Sequence, residues 1–174
     1  MKRHFTVTAF VSVQGQTLLH WHAKNRMWLP PGGHIELDED PVQAAHREAL
    51  EEAGFPVEIL PTASAFSYEM PPQLTAPVTI MIEDILYTPS EPAHQHIDLI
   101  YFTVPASRGL ETPPPGTWRW VSLEALRQGR GIALEAGTPP IPVAEDVRVL
   151  AIAAIERAEV AEKMYHEPIP KSVR

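Results

Sequence analysis

One helix of this chain is bounded at both ends by residues that fix where it begins and where it stops, and it constrains the fold more than any other segment. Asp40 is a good helix N-cap, Pro41 suits the first helical position, and Gln43 completes a pattern like a capping box. Gly54 is suited to end the helix, because glycine readily adopts the left-handed conformation. The sequence therefore predicts a helix over residues 41–53.

Acidic residues crowd the end of this helix. Glu48, Glu51 and Glu52 stand at positions i, i+3 and i+4, so their side chains share one surface. The dipole disfavours negative charge near a helix C-terminus, and like charges at this spacing repel each other. A solvated face is the ordinary explanation of such a run. A divalent cation would relieve the repulsion, and magnesium binds carboxylate and phosphate oxygens.

The remaining segments predict strands and two more helices. β-Branched and aromatic residues predict strands over residues 5–13, 17–22, 57–67, 78–88, 96–104 and 118–121. The further helices are predicted over 122–128 and about 144–164. Gln14-Gly15 predicts a hairpin turn, and the segment NRMWLPPGG predicts a loop. One mixed sheet with helices on both faces, an α/β fold, would bury these elements in a single domain over residues 1–174.

Composition excludes several kinds of chemistry. The chain has no cysteine, which excludes disulfides, thiolate nucleophiles and zinc held by cysteine. Its net charge of -8 argues against a nucleic-acid polymer as partner, and a small polyanion would need cations beside it. No apolar run reaches the roughly 18 residues of a membrane span, and the N-terminus lacks a secretory signal. We therefore expect a cytoplasmic protein that does not bind membranes.

The predicted helix and its flanks carry a spaced set of glycine and charged residues. The set, with the apolar residue that closes it, is Gly33, Glu39, Arg47, Glu48, Glu51, Glu52, Gly54 and Phe55. This spacing resembles the Nudix box, G-x5-E-x7-R-E-U-x-E-E-x-G-U, where U is a bulky aliphatic residue. Ala49 departs from the first U position, and its smaller apolar side chain predicts different packing without lost activity. The resemblance extends over about residues 5–128, and only 28–55 is specific.

The resemblance implies a fold and a metal site. The fold would be the Nudix α/β/α sandwich with a mixed β-sheet, in which the box, residues 33–55, forms a loop, a helix and a loop. The cofactor would be Mg²⁺, with Mn²⁺ as a possible substitute. The ligands carried over from the motif are the carboxylates and one backbone carbonyl of Glu48, Glu51, Glu52 and Gly33.

The resemblance also implies a reaction. Water would attack one phosphorus of a phosphoanhydride in line, in a nucleoside diphosphate linked to another moiety. Arg47 would orient the box carboxylates by charge-assisted hydrogen bonds, and Glu39 would support the loop or hold a water. Glu48 and Glu52 would complete the catalytic set within the box.

The general base is open among several residues. Nudix enzymes differ in where they keep it: some use a box glutamate, and others an acid from a loop before a tryptophan-containing segment. Glu111 has that place here, in GLETPPPGTWRW, although a loop glutamate is more often simply exposed.

Two histidine pairs, His20/His22 and His94/His96, form a competing site. An i, i+2 pair on a strand points to one face, which would allow metal binding or substrate contact. Packing or hydrogen bonding is the alternative role for such histidines. We favour His94/His96, with Asp98 two residues on, because loops at strand ends more often carry function.

The expected function is that of a nucleotide pyrophosphatase. Its partner would be a small-molecule nucleotide: a nucleotide sugar, a nucleoside triphosphate or a dinucleoside polyphosphate. A homodimer is possible, since dimers are common among such enzymes. The alternative is an inactive Nudix-like domain that senses a nucleotide, but all the box glutamates are present. A third possibility is a different Nudix reaction, the isomerisation of an isoprenoid diphosphate. That reaction usually employs cysteine, which this chain lacks.

Overall fold

A computed structural model describes residues 2–63, 66–88 and 92–166. Its strands are β1 (Arg3–Val13), β2 (Gln16–His22), β3 (Met27–Leu29), β4 (Gly32–His34), β5 (Val57–Ile59), β6 (Thr79–Ile85), β7 (His94–Pro105) and β8 (Arg119–Ser122). Its α-helices are α1 (Pro41–Glu48), α2 (Leu123–Arg127) and α3 (Glu145–His166). A π-helical turn, Ala49–Ala53, continues α1. Within the described ranges, no helix is both long and apolar enough to cross a bilayer.

The centre of the sheet is the parallel pair of β1 and β7. Their register places His4 beside His96 and Val11 beside Thr103. On its other edge, β1 pairs with β4 and then with β2, both antiparallel. β7 pairs with β6 and β5, also antiparallel, and the sheet is therefore mixed, as predicted.

Helices cover both faces of this sheet. Val7 of β1 packs in one apolar cluster with Ala44 and Ala45 of the box helix. Phe10, whose side chain points to the opposite face, packs in another cluster with Ile155 of α3. The predicted α/β/α sandwich is confirmed, because alternate residues of one strand contact helices from opposite layers.

The predicted ends of the box helix are confirmed. The Asp40 side chain accepts hydrogen bonds from the backbone of Val42 and Gln43, at 2.8 and 2.9 Å. Gln43 completes the capping box, because its side-chain oxygen accepts a hydrogen bond from the Asp40 backbone N–H at 2.9 Å. Gly54 ends the π turn with a φ of 82°, a left-handed conformation that costs glycine little. Ala49, at the departing box position, is fully buried, so its small side chain lets the helix approach the sheet.

Two predictions near the box are wrong in part. The strand predicted over 57–67 ends at Ile59, shortly before Pro61, which has no N–H to donate to a ladder. Residues 64 and 65 of that prediction lie outside the described residues. The segment predicted as a loop, NRMWLPPGG, contains β3 and the first two residues of β4. The fully buried Trp28 draws β3 onto β2. The other predicted strands and helices agree with the observed ones to within about three residues.

Gly32 is where β4 passes closest to β1. A Cβ at this position would overlap the carbonyl oxygen of Val7 and lie 3.1 Å from the Cα of Thr8. Both obstacles are backbone atoms of the central strand, which cannot move without breaking the sheet. Only glycine therefore allows the box loop to pair with β1 at this distance.

We predict that Gly32→Ala lowers the free energy of unfolding by about 1–3 kcal/mol, the usual cost of forcing an atom into packed structure. Gly109→Ala is the matched control, because the nearest atom to its new Cβ, apart from its chain neighbours, is the Ser107 hydroxyl at 3.8 Å. Urea unfolding monitored by tryptophan fluorescence measures both variants. Equal stability of the two variants would show that β4 can move away from β1.

Candidate functional site

The guanidinium of Arg47 ties the box helix to the loop before it. It donates to both oxygens of Glu39, from Nε at 3.0 Å and from Nη2 at 2.5 Å. Nη2 also donates to the carbonyl of His34 at 3.0 Å. The hydrogen bonds with Glu39 raise the pKa of Arg47 and lower the pKa of Glu39, so both groups stay charged. The orienting role of Arg47 towards the box carboxylates stays a prediction.

The same guanidinium reaches two of the clustered glutamates. Its Nη1 donates to Glu48 at 2.7 Å and to Glu51 at 3.2 Å. The Glu48 side chain is 13% exposed and the Glu51 side chain 60%, so the two carboxylates differ in their access to solvent. The Glu48 carboxylate also lies against Gly33, where a Cβ would overlap it. The absence of that Cβ lets the loop backbone and a box carboxylate lie in contact.

Glu52, the third glutamate of the cluster, lines a cavity. Its Oε2 accepts a hydrogen bond from the backbone of Gly32 at 3.0 Å. Burial raises the pKa of Glu52, and the charges of Glu48 and Glu51 raise it further, while the hydrogen bond from Gly32 opposes them. The carboxylate that meets the cavity therefore holds a proton more tightly than an ordinary glutamate does.

The π turn is a feature that the sequence analysis missed. It carries Glu51 and Glu52, and the helix widens where the box carboxylates lie. Local propensity and capping residues do not distinguish a π turn from an α-helical turn. Such turns occur frequently at functional sites.

The cavity has a volume of about 830 Å³ and an acidic lining. The carboxylates among the described lining residues belong to Glu52, Glu83, Asp84, Asp98 and Asp146. Lys24 is the one lysine or arginine of that described lining. A phosphate group entering the cavity would therefore meet net negative charge, which a bound cation would offset.

Two cavity carboxylates lie on neighbouring strands. Asp98 on β7 accepts hydrogen bonds from the hydroxyls of Thr6 at 2.9 Å and Thr8 at 2.7 Å. Burial raises the pKa of Asp98, and these hydrogen bonds oppose the increase. On β6, burial together with the charges of Asp98 and Asp146 raises the pKa of Glu83 to about 7. Asp98 stood out in the sequence beside His94 and His96. Glu83 and Asp146 did not, because they belong to other segments of the chain and only the fold brings them to the cavity.

Four histidines form one cluster, and three of them, His34, His94 and His96, line the cavity. His94 and His96, the favoured pair, approach each other with Nε2 atoms 3.1 Å apart. His4 and His34 join them, with Nδ1 of His4 3.2 Å from Nε2 of His34. No signal in the sequence pointed to His4, which precedes the strand predicted over 5–13, or to His34, which lies in the loop of the box.

The other predicted pair, His20 and His22, lines the same cavity. The His20 ring stacks on Trp118, with centroids 4.4 Å apart and an interplanar angle of 23°. Burial, and then the neighbouring His22, lowers the pKa of His20 to about 4, so its ring is neutral at pH 7. A neutral, stacked imidazole is suited to contacting a planar group rather than to holding a phosphate charge.

Glu111 lies in a loop that touches the end of the box helix. Its backbone carbonyl accepts a hydrogen bond from the Trp120 indole at 2.9 Å. In the same loop, Pro114 lies 3.3 Å from the position that a Cβ on Gly54 would take. The described residues that line the cavity do not include Glu111. Its role as general base stays a prediction.

The box residues fit a hard divalent cation. Three carboxylates, those of Glu39, Glu48 and Glu51, accept hydrogen bonds from one guanidinium, and the charges of Glu48 and Glu51 also act on Glu52, so negative charge remains in excess. All their donor atoms are oxygens, as is the Gly33 carbonyl, and magnesium prefers oxygen ligands. The contact between Gly33 and Glu48 brings the loop and a box carboxylate together.

Comparisons with known proteins agree with the motif and the fold. The NUDIX domain family model matches residues 2–138, and this chain belongs to that family. A NUDIX-family hydrolase from Clostridium perfringens is 28% identical, with a TM-score of 0.66 over 90% of this chain and 98% of that one. The dihydroneopterin triphosphate pyrophosphohydrolase of E. coli is 13% identical, with a TM-score of 0.51 over 87% and 95%, and shows the fold alone. No curated protein matches the chain.

The raised pKa of Glu83 predicts a pH dependence of stability. The ordinary value is 4.5 and the folded value about 7, so the folded protein binds this proton more tightly than the unfolded chain does. The resulting stabilisation is complete below pH 4.5 and is lost as the pH rises through about 7. We predict that Glu83→Gln makes the free energy of unfolding less dependent on pH across this window, in urea titrations with chelator present.

The control for this measurement is Asp84→Asn. Asp84 is the exposed neighbour on β6, and its Oδ1 accepts a hydrogen bond from Gln95 that an asparagine carbonyl can also accept. We expect this variant to keep the pH dependence of the parent. An unchanged slope in Glu83→Gln would show that the Glu83 carboxyl does not keep its proton in the folded state.

Proposed function

We propose that this protein is a magnesium-dependent Nudix pyrophosphatase. It hydrolyses a phosphoanhydride in a nucleoside diphosphate linked to another moiety, such as a nucleotide sugar, a nucleoside triphosphate or a dinucleoside polyphosphate. The observation that carries this proposal is the carboxylate cluster around Arg47, which reaches the acidic cavity through Glu52.

The metal would be held by Glu48, Glu51, Glu52 and the Gly33 carbonyl, and Mn²⁺ could replace Mg²⁺. When bound, it would neutralise phosphate oxygens next to the phosphorus that reacts. The acidic lining makes such a cation necessary, because Lys24 alone cannot offset both the cavity carboxylates and a polyphosphate.

Arg47 acts here as a positioning residue. Its planar guanidinium forms several hydrogen bonds in fixed directions, which set the orientation of Glu48 and Glu51. Glu39 holds the opposite edge of the guanidinium, so the loop and the helix keep one relative position. This preorganisation lowers the cost of arranging like charges when the substrate arrives.

Glu52 is well placed to accept a proton. It lines the cavity, and its carboxylate accepts a hydrogen bond from the Gly32 backbone, which makes it one candidate for the general base. As the water oxygen bonds to phosphorus, a water proton moves to the general base, for which Glu52 and Glu111 are both candidates, and the bridging P–O bond breaks. The electron pair of that bond leaves with the departing phosphate.

The size and apolar walls of the cavity support a nucleotide as substrate. A volume of about 830 Å³ lies within the range of pockets that bind small molecules, roughly 300–1,000 Å³. Apolar side chains that could contact a base line part of it: Phe10, Met27, Leu29, Met81, Val147 and Leu150. The box residues and this apolar wall belong to the same cavity, so one ligand could contact both.

A sensing domain without activity is the alternative function. It would bind the nucleotide in this cavity and release it unchanged. The complete box and the charge network of Arg47 favour the hydrolase, since binding alone does not need an oriented set of carboxylates. Incubation with a panel of nucleotides and Mg²⁺, with products separated by chromatography, distinguishes the two functions and identifies the substrate.

We predict strict dependence on a divalent metal. Turnover is expected to stop in excess chelator and to return with Mg²⁺, because the acidic cavity cannot stabilise added phosphate charge alone. Glu51→Gln and Glu52→Gln should each lower kcat by more than about 100-fold. Mutating a residue that only supports a metal ligand already lowers activity or metal affinity by about 10–100-fold. Steady-state assays with a saturating nucleotide measure kcat.

The matched control is Glu124→Gln, which removes an exposed carboxylate on α2. It should keep the parent activity. Thermal melts without metal should show both box variants folded, because each loses a charge from a repelling cluster. Undiminished turnover in chelator would contradict the mechanism, and a large drop in Tm would show that the glutamates are structural.

The role of Glu111 is tested by Glu111→Gln. If Glu111 is the general base, kcat should fall much more than KM changes, because the proton is transferred only in the transition state. The Trp120 hydrogen bond uses the backbone carbonyl and would survive the substitution, so the loop keeps its place. Activity is measured across the pH range at saturating substrate.

A kcat near that of the parent would remove Glu111 from the mechanism. The base would then be sought among Glu48, Glu52 and the His94/His96 pair. The hydrolase proposal itself would stand, because the metal dependence is tested independently.

A further inference from the structure

The sheet brings three histidines from distant parts of the chain to one face. The parallel register of β1 and β7 places His4 directly beside His96. The antiparallel register of β4 places His34 beside Thr6, the next residue of β1 on the same face as His4. The arrangement therefore depends on three strands of the central sheet, which are stiff elements.

One ring nitrogen from each of His4, His34 and His96 lies within 4.8 Å of the other two. The His4 and His34 nitrogens are already 3.2 Å apart. Zinc–nitrogen bonds of about 2.0–2.1 Å in a tetrahedron place ligand nitrogens about 3.4 Å from each other. The His4–His34 spacing is close to this value, and the two spacings with His96 are at most 4.8 Å, so a small shift of the His96 ring would complete the site.

The hydrogen bonds between the rings limit how many of them can be charged. A nitrogen–nitrogen hydrogen bond needs one donor and one acceptor, and an imidazolium ring has no acceptor. At least one ring is therefore neutral in the pair His4/His34 and one in the pair His94/His96. Neutral imidazole is the form that binds metals.

His94 supports the group from outside. Its Nδ1 lies 2.9 Å from the carbonyl of Pro92, which can only accept, so Nδ1 carries the proton. Its Nε2 then contacts His96 at 3.1 Å. Partners of this kind fix the orientation of a metal-binding ring.

Neighbouring charge favours a cation over a phosphate at this place. Glu83 stands opposite His96 in the β6–β7 register, and Asp98 follows two residues along β7 on the same face. The oxygens of these carboxyl groups favour a metal ion over a phosphate, and a bound cation would itself favour their ionised form.

We propose that His4, His34 and His96 form a second metal site, selective for a transition metal such as Zn²⁺. Imidazole nitrogens favour zinc, nickel and copper, whereas the box offers carboxylate and carbonyl oxygens, which favour magnesium. Two chemically different cation sites then lie on the same cavity, one at the box glutamates and one at the histidines. This proposal needs no turnover and holds whether or not the protein is a hydrolase.

The test is a titration of the full chain with Co²⁺ in the presence of saturating Mg²⁺, followed by displacement with Zn²⁺. Co²⁺ bound by four ligands in a tetrahedron absorbs visible light strongly through its d–d transitions. Six-coordinate Co²⁺ bound by oxygen ligands absorbs only weakly. We expect one Co²⁺ per chain with the intense spectrum, displaced by Zn²⁺. Calorimetry with Zn²⁺ under the same conditions gives the affinity.

Two variants each remove one ligand, His34→Ala at an exposed position and His4→Asn on β1. Each should weaken Zn²⁺ binding by more than about 100-fold, because the loss of an outer partner already costs 10–100-fold. His46→Ala is the matched control, since His46 is an exposed histidine of the box helix outside the group. It should bind Zn²⁺ as the parent does.

Three results would overturn the proposal. One is the absence of tight Zn²⁺ binding by the parent, and another is undiminished binding by folded His34→Ala. The third is binding that depends on Glu52 and not on the histidines, tested with Glu52→Gln, since the ion would then occupy the box. If His4→Asn fails to fold in circular dichroism, His34→Ala decides alone.

Discussion

Like charges packed into little more than one helical turn repel one another, and the guanidinium of Arg47 offsets this repulsion. It binds Glu48 and Glu51 on one side and Glu39 on the other. Because the guanidinium is planar and its donors are fixed in direction, it sets the angle between the helix and the preceding loop. That angle in turn holds Gly33 against Glu48 and allows β4 to pair with β1.

The parts of the fold that follow from neighbouring residues could be predicted. The box helix begins at Asp40 and ends at Gly54 through hydrogen bonds and a backbone angle that depend on those residues themselves. The extent of β5 could not be judged from its β-branched residues alone, since Pro61 and the pairing with β7 decide it. The π turn was missed because local propensity and capping residues do not distinguish it from an α-helical turn.

The candidate site also has a part that the sequence predicted and a part that it did not. The box residues are close in sequence, so their spacing predicted the contacts of Arg47 that the structure shows. Glu83 comes to the cavity, and His4 to the side of His96, only through the order and register of β1, β7 and β6. A single sequence does not reveal which strands become neighbours, so the histidine group could be predicted only in part, as His94/His96.

The hydrogen bonds of Asp98 with Thr6 and Thr8 join residues 92 and 90 positions apart. Closing so long a loop is costly in chain entropy, and contacts of this kind form slowly. During synthesis the hairpin and the box emerge well before β7, which supplies the neighbouring strand of β1. A nascent chain can therefore contain the whole box motif while the cavity beside it has not yet formed.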